Sequence, residues 1–213
     1  MEVQDKPTKQ RTEVRQASLV EAALLLAAQR SPADITTADL ARAVGISQGA
    51  VFKHFASKEA IWLAVLDWVA ETLMARLQAA AAGAEPTALP ALRAVFMAHV
   101  DFITCYPGVP RLIFQELQHS GDTPLKGSVR MLMQRYRTLL MQLLQQAVQQ
   151  RTLAKGTNLQ AAAVLFIGAV QGLMMQAMIS GDLPAMARQA PEVFAIFTQG
   201  LFENRPAFES PSF

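Results

Sequence analysis

The stretch Ile35-Thr36-Thr37-Ala38-Asp39-Leu40-Ala41-Arg42-Ala43-Val44-Gly45-Ile46-Ser47-Gln48-Gly49-Ala50-Val51-Phe52-Lys53-His54-Phe55 decides how the chain is read. Thr36 followed three residues later by Asp39 approximates a capping box with the shorter acid, and Leu40, Ala41 and Val44 recur at helical spacing until Gly45. Ser47 then caps a third short helix through Phe55. A helix-turn-helix packs two short helices at a steep angle. It needs a small residue at the crossing, a glycine in the turn and apolar residues on the shared faces. Ala41 fills the crossing position, Gly45 the turn, and Leu40, Val44, Ile46 and Val51 the apolar slots.

If Val51 and Phe55 face the core one turn apart, then Gln48, Gly49, Phe52 and Lys53 point away from it. That outward face suits a recognition helix entering the major groove. Gln48 can pair bidentately with adenine, Gly49 permits close backbone approach, and Phe52 can lie on a thymine methyl or a sugar. Lys53, His54 and Lys58 are placed for phosphates, and Thr36 or Thr37 adds a hydroxyl and backbone N–H groups. By spacing alone, residues 37–55 also fit a plain tight helical hairpin with Lys53 and Lys58 on a solvated face.

Outward from this stretch, helical signals recur and strand signals do not. Val14, Leu19, Ala22, Ala23 and Leu26 predict a first helix capped by Thr12 and ending near Ser31-Pro32. Ser57 caps a fourth helix running through Trp62, Leu66, Val69, Leu73 and Leu77. Residues 88–106, about 110–119, 126–151, 158–180 and 185–203 follow, separated by Pro- and Gly-containing connections. The expectation is an all-α chain of about nine helices. Its tail, residues 204–213, reads as loose.

Composition bounds the function. The chain has 213 residues, 52% of them hydrophobic and 17% charged, enough apolar material for a core and too little charge for disorder. The net charge of +2 lies wholly in residues 1–58, with eight basic and six acidic residues, and the remainder is neutral. Cys105 is the only cysteine, which excludes an intramolecular disulfide and fits a reducing compartment. The N-terminus lacks a signal-peptide pattern, so a cytoplasmic location is expected. Gly156 to Gly181 carries no charge and is long enough to span a bilayer, but Gln160, Gln171 and Gln176 would each need a partner in hydrocarbon, so no membrane insertion is expected. His99, Asp101 and Cys105 form no metal or catalytic spacing, His119 is equally undistinguished, and no phosphate loop or serine elbow is present. No enzyme activity, cofactor or metal is expected.

Residues 15–66 resemble the TetR family of bacterial transcriptional regulators. Arg15, Leu19, Val20, Ala22 and Ala23 match its first helix, and Ile35 to Glu59 match its motif without a gap. The resemblance implies a DNA-binding head, residues 1–58, with its helix-turn-helix at 37–55. A long fourth helix joins it to a ligand-binding and dimerisation body, residues 59–203. Carried over by position, Thr37, Gln48, Gly49, Phe52, Lys53, His54 and Lys58 are the implied contacts to double-stranded operator DNA. The family commonly has tyrosine where Phe52 stands, so contact there becomes apolar only. The resemblance also implies a homodimer formed by the last two helices, for which Leu165, Gly168, Gly172, Met175 and Ile179, covered by Phe194, Phe197 and Leu201, are the candidates. Candidates for an apolar pocket holding a small hydrophobic ligand are Phe96, His99, Val100, Phe102, Ile103, Tyr106, Phe114, Met131, Tyr136, Leu140 and Met141. The rival from another class is a helical small-molecule-binding protein without DNA function. Repressor and activator are not distinguished.

Overall fold

A computed structural model describes residues 6–84 and 86–202; the loose tail expected at 204–213 lies outside them. Among the described residues there are nine α-helices and no strand. They are α1 (Lys6–Gln29), α2 (Thr37–Ala43), α3 (Gln48–Val51), α4 (Lys58–Gly83), α5 (Ala88–Cys105), α6 (Gly108–Gln118), α7 (Pro124–Gln149), α8 (Leu159–Ser180) and α9 (Leu183–Phe202), with a short 3-10 turn at Pro32–Asp34.

Helices α6, α7 and α9 each begin two residues before the expected starts, at Gly108, Pro124 and Leu183, and two further boundaries differ in kind. Helix α1 begins at Lys6, so Thr12 lies within it and not at its cap. Pro7 does not interrupt the start, because a first-turn N–H has no intrahelical partner to lose. Helix α3 closes at Val51, and residues 52–54 tighten into a turn. Lys53 N–H donates to the Ala50 carbonyl (3.2 Å) and His54 N–H to that of Val51 (2.9 Å).

The helices gather into two compact units: Met1–Ala75 with Phe102–Tyr136, and Arg76–Asp101 with Arg137–Phe213. The first unit therefore holds, beside the segment 1–58 expected as a head, much of α4, α6 and the first half of α7. In it, Leu19, Ala23 and Ala27 of α1 are buried, as are Ile35, Leu40, Ala41, Val51 and Phe55 of the motif. Helix α6 joins this unit because its first residue rests on the backbone of α1. A Cβ added at Gly108 would lie 2.6 Å from the Leu24 carbonyl oxygen and 2.8 Å from the Ala28 nitrogen. Further along α6, Gln115 Oε1 accepts from Ala33 N–H (2.9 Å) and Ser31 Oγ (3.4 Å), which ties the 3-10 turn to the same helix.

In the second unit, α8 and α9 pack through an aromatic cluster. Phe166 sits edge-on to Phe96 (ring centroids 5.3 Å apart, planes at 84°) and to Phe197 (5.4 Å, 83°), and Phe194 lies 5.3 Å from Phe96. Asn158 caps α8 by accepting from Gln160 and Ala161 N–H, and Gly181 closes it in the left-handed conformation at φ 72°. Gln150 fastens the end of α7 to the start of α5, accepting from Ala88 N–H (2.8 Å) and donating to the Pro86 carbonyl (3.1 Å). Two helices, Ala88–Cys105 and Leu159–Ser180, are long and apolar enough to cross a membrane by length and composition, a test that core helices also pass. Here each turns one face inward, α5 through Leu92, Val95 and Phe96 and α8 through Ala163, Phe166 and Val170.

The tight contact at Gly108 predicts that Gly108→Ala lowers the unfolding free energy by about 1–3 kcal/mol, despite alanine's better helix propensity, because backbone must move to admit the methyl. Urea denaturation followed by circular dichroism measures it; an unchanged midpoint would refute the close approach.

Candidate nucleic-acid interface

One carboxylate organises the start of the motif. Asp39 Oδ2 accepts from Thr36 N–H (2.9 Å) and from the Thr36 hydroxyl (2.7 Å), and Thr36 Oγ1 in turn accepts from Asp39 N–H (3.1 Å). Arg30, from beyond the end of α1, pairs with the same oxygen at 3.0 Å, and Arg42 reaches the other at 3.3 Å. The Thr36 hydrogen bonds, side chain before backbone, hold the Asp39 carboxyl well below the usual carboxylate range, and Arg30 adds to them. At the other end of α2, Ile46 N–H returns to the Ala41 carbonyl and Gly45 N–H to that of Arg42. This closure needs a left-handed residue, and Gly45 supplies it at φ 69°. Ser47 caps α3 by accepting from Ala50 N–H, and Ser57 caps α4 by accepting from Ala60 N–H.

Within this frame the residues singled out for DNA fall into two groups. Gln48, Gly49, Phe52 and Lys53 are exposed, Phe52 at 49%, and Thr37 is partly so. Gln48 Nε2 donates to Thr37 Oγ1 at 2.9 Å, so two of them are already joined in the free protein, a link that residue types alone did not reveal. A Cβ at Gly49 would meet nothing within 4 Å, so no contact inside the chain calls for glycine there.

The remaining three have local duties. Thr36 was expected to offer a hydroxyl to phosphate, but its proton is already committed to Asp39, which leaves it only an acceptor. Lys58, expected on a phosphate, donates from Nζ to the Ala33 carbonyl (2.9 Å). Its partial burial lowers its pKa against the opposing pull of Asp34 and Asp39. His54 is half-buried, with Nδ1 enclosed and without a hydrogen-bond partner, while its carbonyl accepts from Gln16 Nε2 (2.9 Å). Of the three expected phosphate cations, Lys53 alone is exposed.

The pocket candidates divide between the units. Phe96, His99, Val100, Leu140 and Met141 belong to the second; Phe102, Ile103, Tyr106, Phe114, Met131 and Tyr136 belong to the first. Phe96 is taken up in the aromatic cluster with Phe166 and Phe194. Val100, Phe102, Ile103, Tyr136 and Leu140 are buried, whereas Tyr106, Phe114 and Met141 are half-buried. Met131, expected to face the interior, is 61% exposed, because α7 turns Val129, Leu132 and Tyr136 inward instead. Burial pushes the His99 imidazole down to about 4, so it is neutral at physiological pH, and raises the Tyr136 phenol. Tyr106 stacks edge-on against Trp68 (5.0 Å) beside a cleft of about 340 Å³ that Leu25 and Cys105 also line.

The dimer candidates also separate. Leu165, Gly168, Gly172, Met175 and Ile179 lie exposed along one face of α8, opposite its buried face. Phe194, Phe197 and Leu201 are buried within the chain, and Phe194 and Phe197 meet Phe166 on the inward face of α8 and not the outward one. Sequence reading missed Val164 and Met178 of α8 and Ile196 of α9, all exposed. The spacing of 164, 168, 171, 175 and 178 carries the signal for the two on α8.

Comparison with known proteins matches both halves of the chain. Residues 19–65 match the family model for bacterial regulatory proteins of the tetR family, and residues 88–192 that for the tetracyclin repressor-like C-terminal domain. The nucleoid occlusion factor SlmA of Haemophilus ducreyi is 31% identical over 109 residues, which span 51% of this chain and 54% of that protein. SlmA of Vibrio vulnificus is 28% identical over 171 residues, 78% of this chain and 83% of that protein. Among solved structures, the transcriptional regulator FadR from Bacillus subtilis, in complex with stearoyl-CoA, superposes with a TM-score of 0.76 at 16% identity, covering 86% of this chain and 98% of that one. With a capped helix-turn-helix exposing Gln48, Phe52 and Lys53, and with family matches over residues 19–65 and 88–192, the chain belongs to the TetR family of DNA-binding transcriptional regulators.

Proposed function

We propose that the protein is a cytoplasmic, ligand-responsive repressor that binds a palindromic operator as a homodimer, with residues 1–58 as the reading head and 59–203 as the ligand-binding and dimerisation body. The observation that carries this reading is the exposed set Gln48, Gly49, Phe52 and Lys53, with Thr37 partly exposed beside Gln48, on a frame in which Thr36, Asp39 and Lys58 are engaged within the chain. A two-fold dimer presents two such faces to half-sites about one DNA turn apart. Gly49 supports close approach to the duplex, since glycine in a helix costs roughly 0.5–1 kcal/mol against alanine and nothing inside the chain requires it.

The outward face of α8 supports the dimer. It is uncharged and largely apolar, with Gln171 and Gln176 as its exposed amides, and contains Gly168 and Gly172, whose added Cβ atoms would meet open space in the protomer. The buried apolar side chains of α5 and α7 and the likeness to FadR with stearoyl-CoA support a hydrophobic ligand. By linkage, a ligand that releases DNA binds the DNA-bound form less tightly. A second reading has the same dimer act on DNA without a small ligand, and the similarity to nucleoid occlusion factors is compatible with both. Release of DNA by a hydrophobic compound separates the two.

Lys53→Ala should weaken binding about equally across sequences and reduce the salt slope by about 0.9 per lost phosphate contact. Fluorescence anisotropy over a salt series reads both, and an unchanged affinity and slope would sink the operator-binding reading. Gly49→Ala should raise stability by up to about 1 kcal/mol while weakening DNA binding, so thermal unfolding and binding must move in opposite senses. Gly172→Leu should leave the protomer folded but shift sedimentation toward monomer; a dimer of unchanged stability would place the interface elsewhere.

A further inference from the structure

Thr37 opens α2 and Gln48 opens α3, and the hydrogen bond between their side chains (2.9 Å) links the first residues of the two helices of the motif. Resting on the DNA-binding reading above, we infer that Thr37 is a specificity-determining residue: it relays a phosphate contact into the orientation of the Gln48 amide. A primary amide offers an acceptor at one corner and a two-proton donor at the other. Reading adenine bidentately requires Oε1 on the N6 amino group and one Nε2 proton on N7, so an amide turned over presents the wrong atom to each.

A hydroxyl alone does not choose between these two orientations, because it can accept from Nε2 or donate to Oε1. The choice is made by whatever takes the hydroxyl proton. For Thr36 that acceptor is Asp39. The Thr37 proton has no such acceptor among the described residues, and its oxygen already accepts from Gln48. A DNA phosphate offers only acceptors here. Once a phosphate takes the Thr37 proton, Oγ1 can only accept. Nε2 must then face Thr37, and Oε1 with the second amide proton faces the base. A contact that carries no sequence information thereby determines how a neighbouring base pair is read.

The test uses the full chain. Preferred duplexes are selected from a randomised library, and affinities are measured by anisotropy for the best duplex and its single-base substitutions. Wild type is compared with Gln48→Ala, Thr37→Val, Thr37→Ser and the double variant T37V/Q48A, each checked for folding by thermal unfolding. Gln48→Ala should lose roughly 5- to 150-fold discrimination at one base pair. Thr37→Val should lose discrimination at that same pair, Thr37→Ser should retain it, and T37V/Q48A should lose no more there than Gln48→Ala. If Thr37→Val weakens all duplexes equally, or keeps full discrimination while Gln48→Ala loses it, the relay is overturned and the DNA-binding reading stands. If no duplex is selected at all, both fall together.

Discussion

The reading head depends on the carboxylate of Asp39. It accepts both the N–H and the O–H of Thr36, and it anchors Arg30 from the chain that leaves α1. One group thus closes the N-terminus of α2 and fixes that helix against the element before it. An N-cap alone contributes about 1 kcal/mol. The larger effect here is geometric, because the first residue beyond the cap is Thr37, and Thr37 holds Gln48. The positions of the groups proposed for DNA follow from a capping arrangement whose own hydrogen bonds stay within the chain.

The same frame extends into α6. The Ala33 peptide is held on both sides, its N–H by Gln115 of α6 and its carbonyl by Lys58 at the start of α4. Gly108 seats the opposite end of α6 on the α1 backbone. A helix of the expected body is therefore built into the unit that carries the motif, and the compact unit does not end at residue 58. The links of α6 thus run to the 3-10 turn that precedes the motif and to α1.

The glycines sort by the reason each is needed. Gly45 and Gly181 adopt left-handed conformations at helix ends, and Gly108 is required by a neighbouring backbone. Gly49, Gly168 and Gly172 sit in helices where a Cβ would meet nothing, so the protomer supplies no reason for them. All three lie on exposed faces, one beside Gln48 and two beside Leu165 and Met175. Glycine in a helix carries a conformational cost, and Gly127 and Gly200 share this lack of an internal contact.

Much of the fold was legible because helical periodicity, caps and Pro-Gly connections are local properties. The all-α class, the capping box at Thr36, the Gly45 turn and the outward set of Gln48, Gly49, Phe52 and Lys53 each follow from spacing within a few residues. Other assignments needed the folded chain. That Lys58 binds the Ala33 carbonyl, that Gln48 meets Thr37 eleven positions away, and that Phe194 and Phe197 cover the inner face of α8 depend on which surfaces come together. A helical pattern states which residues share a face, but which neighbour that face meets is set by packing across distant segments. The sequence by itself determined the elements and the residue types proposed for DNA, whereas the tertiary structure decided which of their polar groups are engaged within the chain, because those partners come from distant segments.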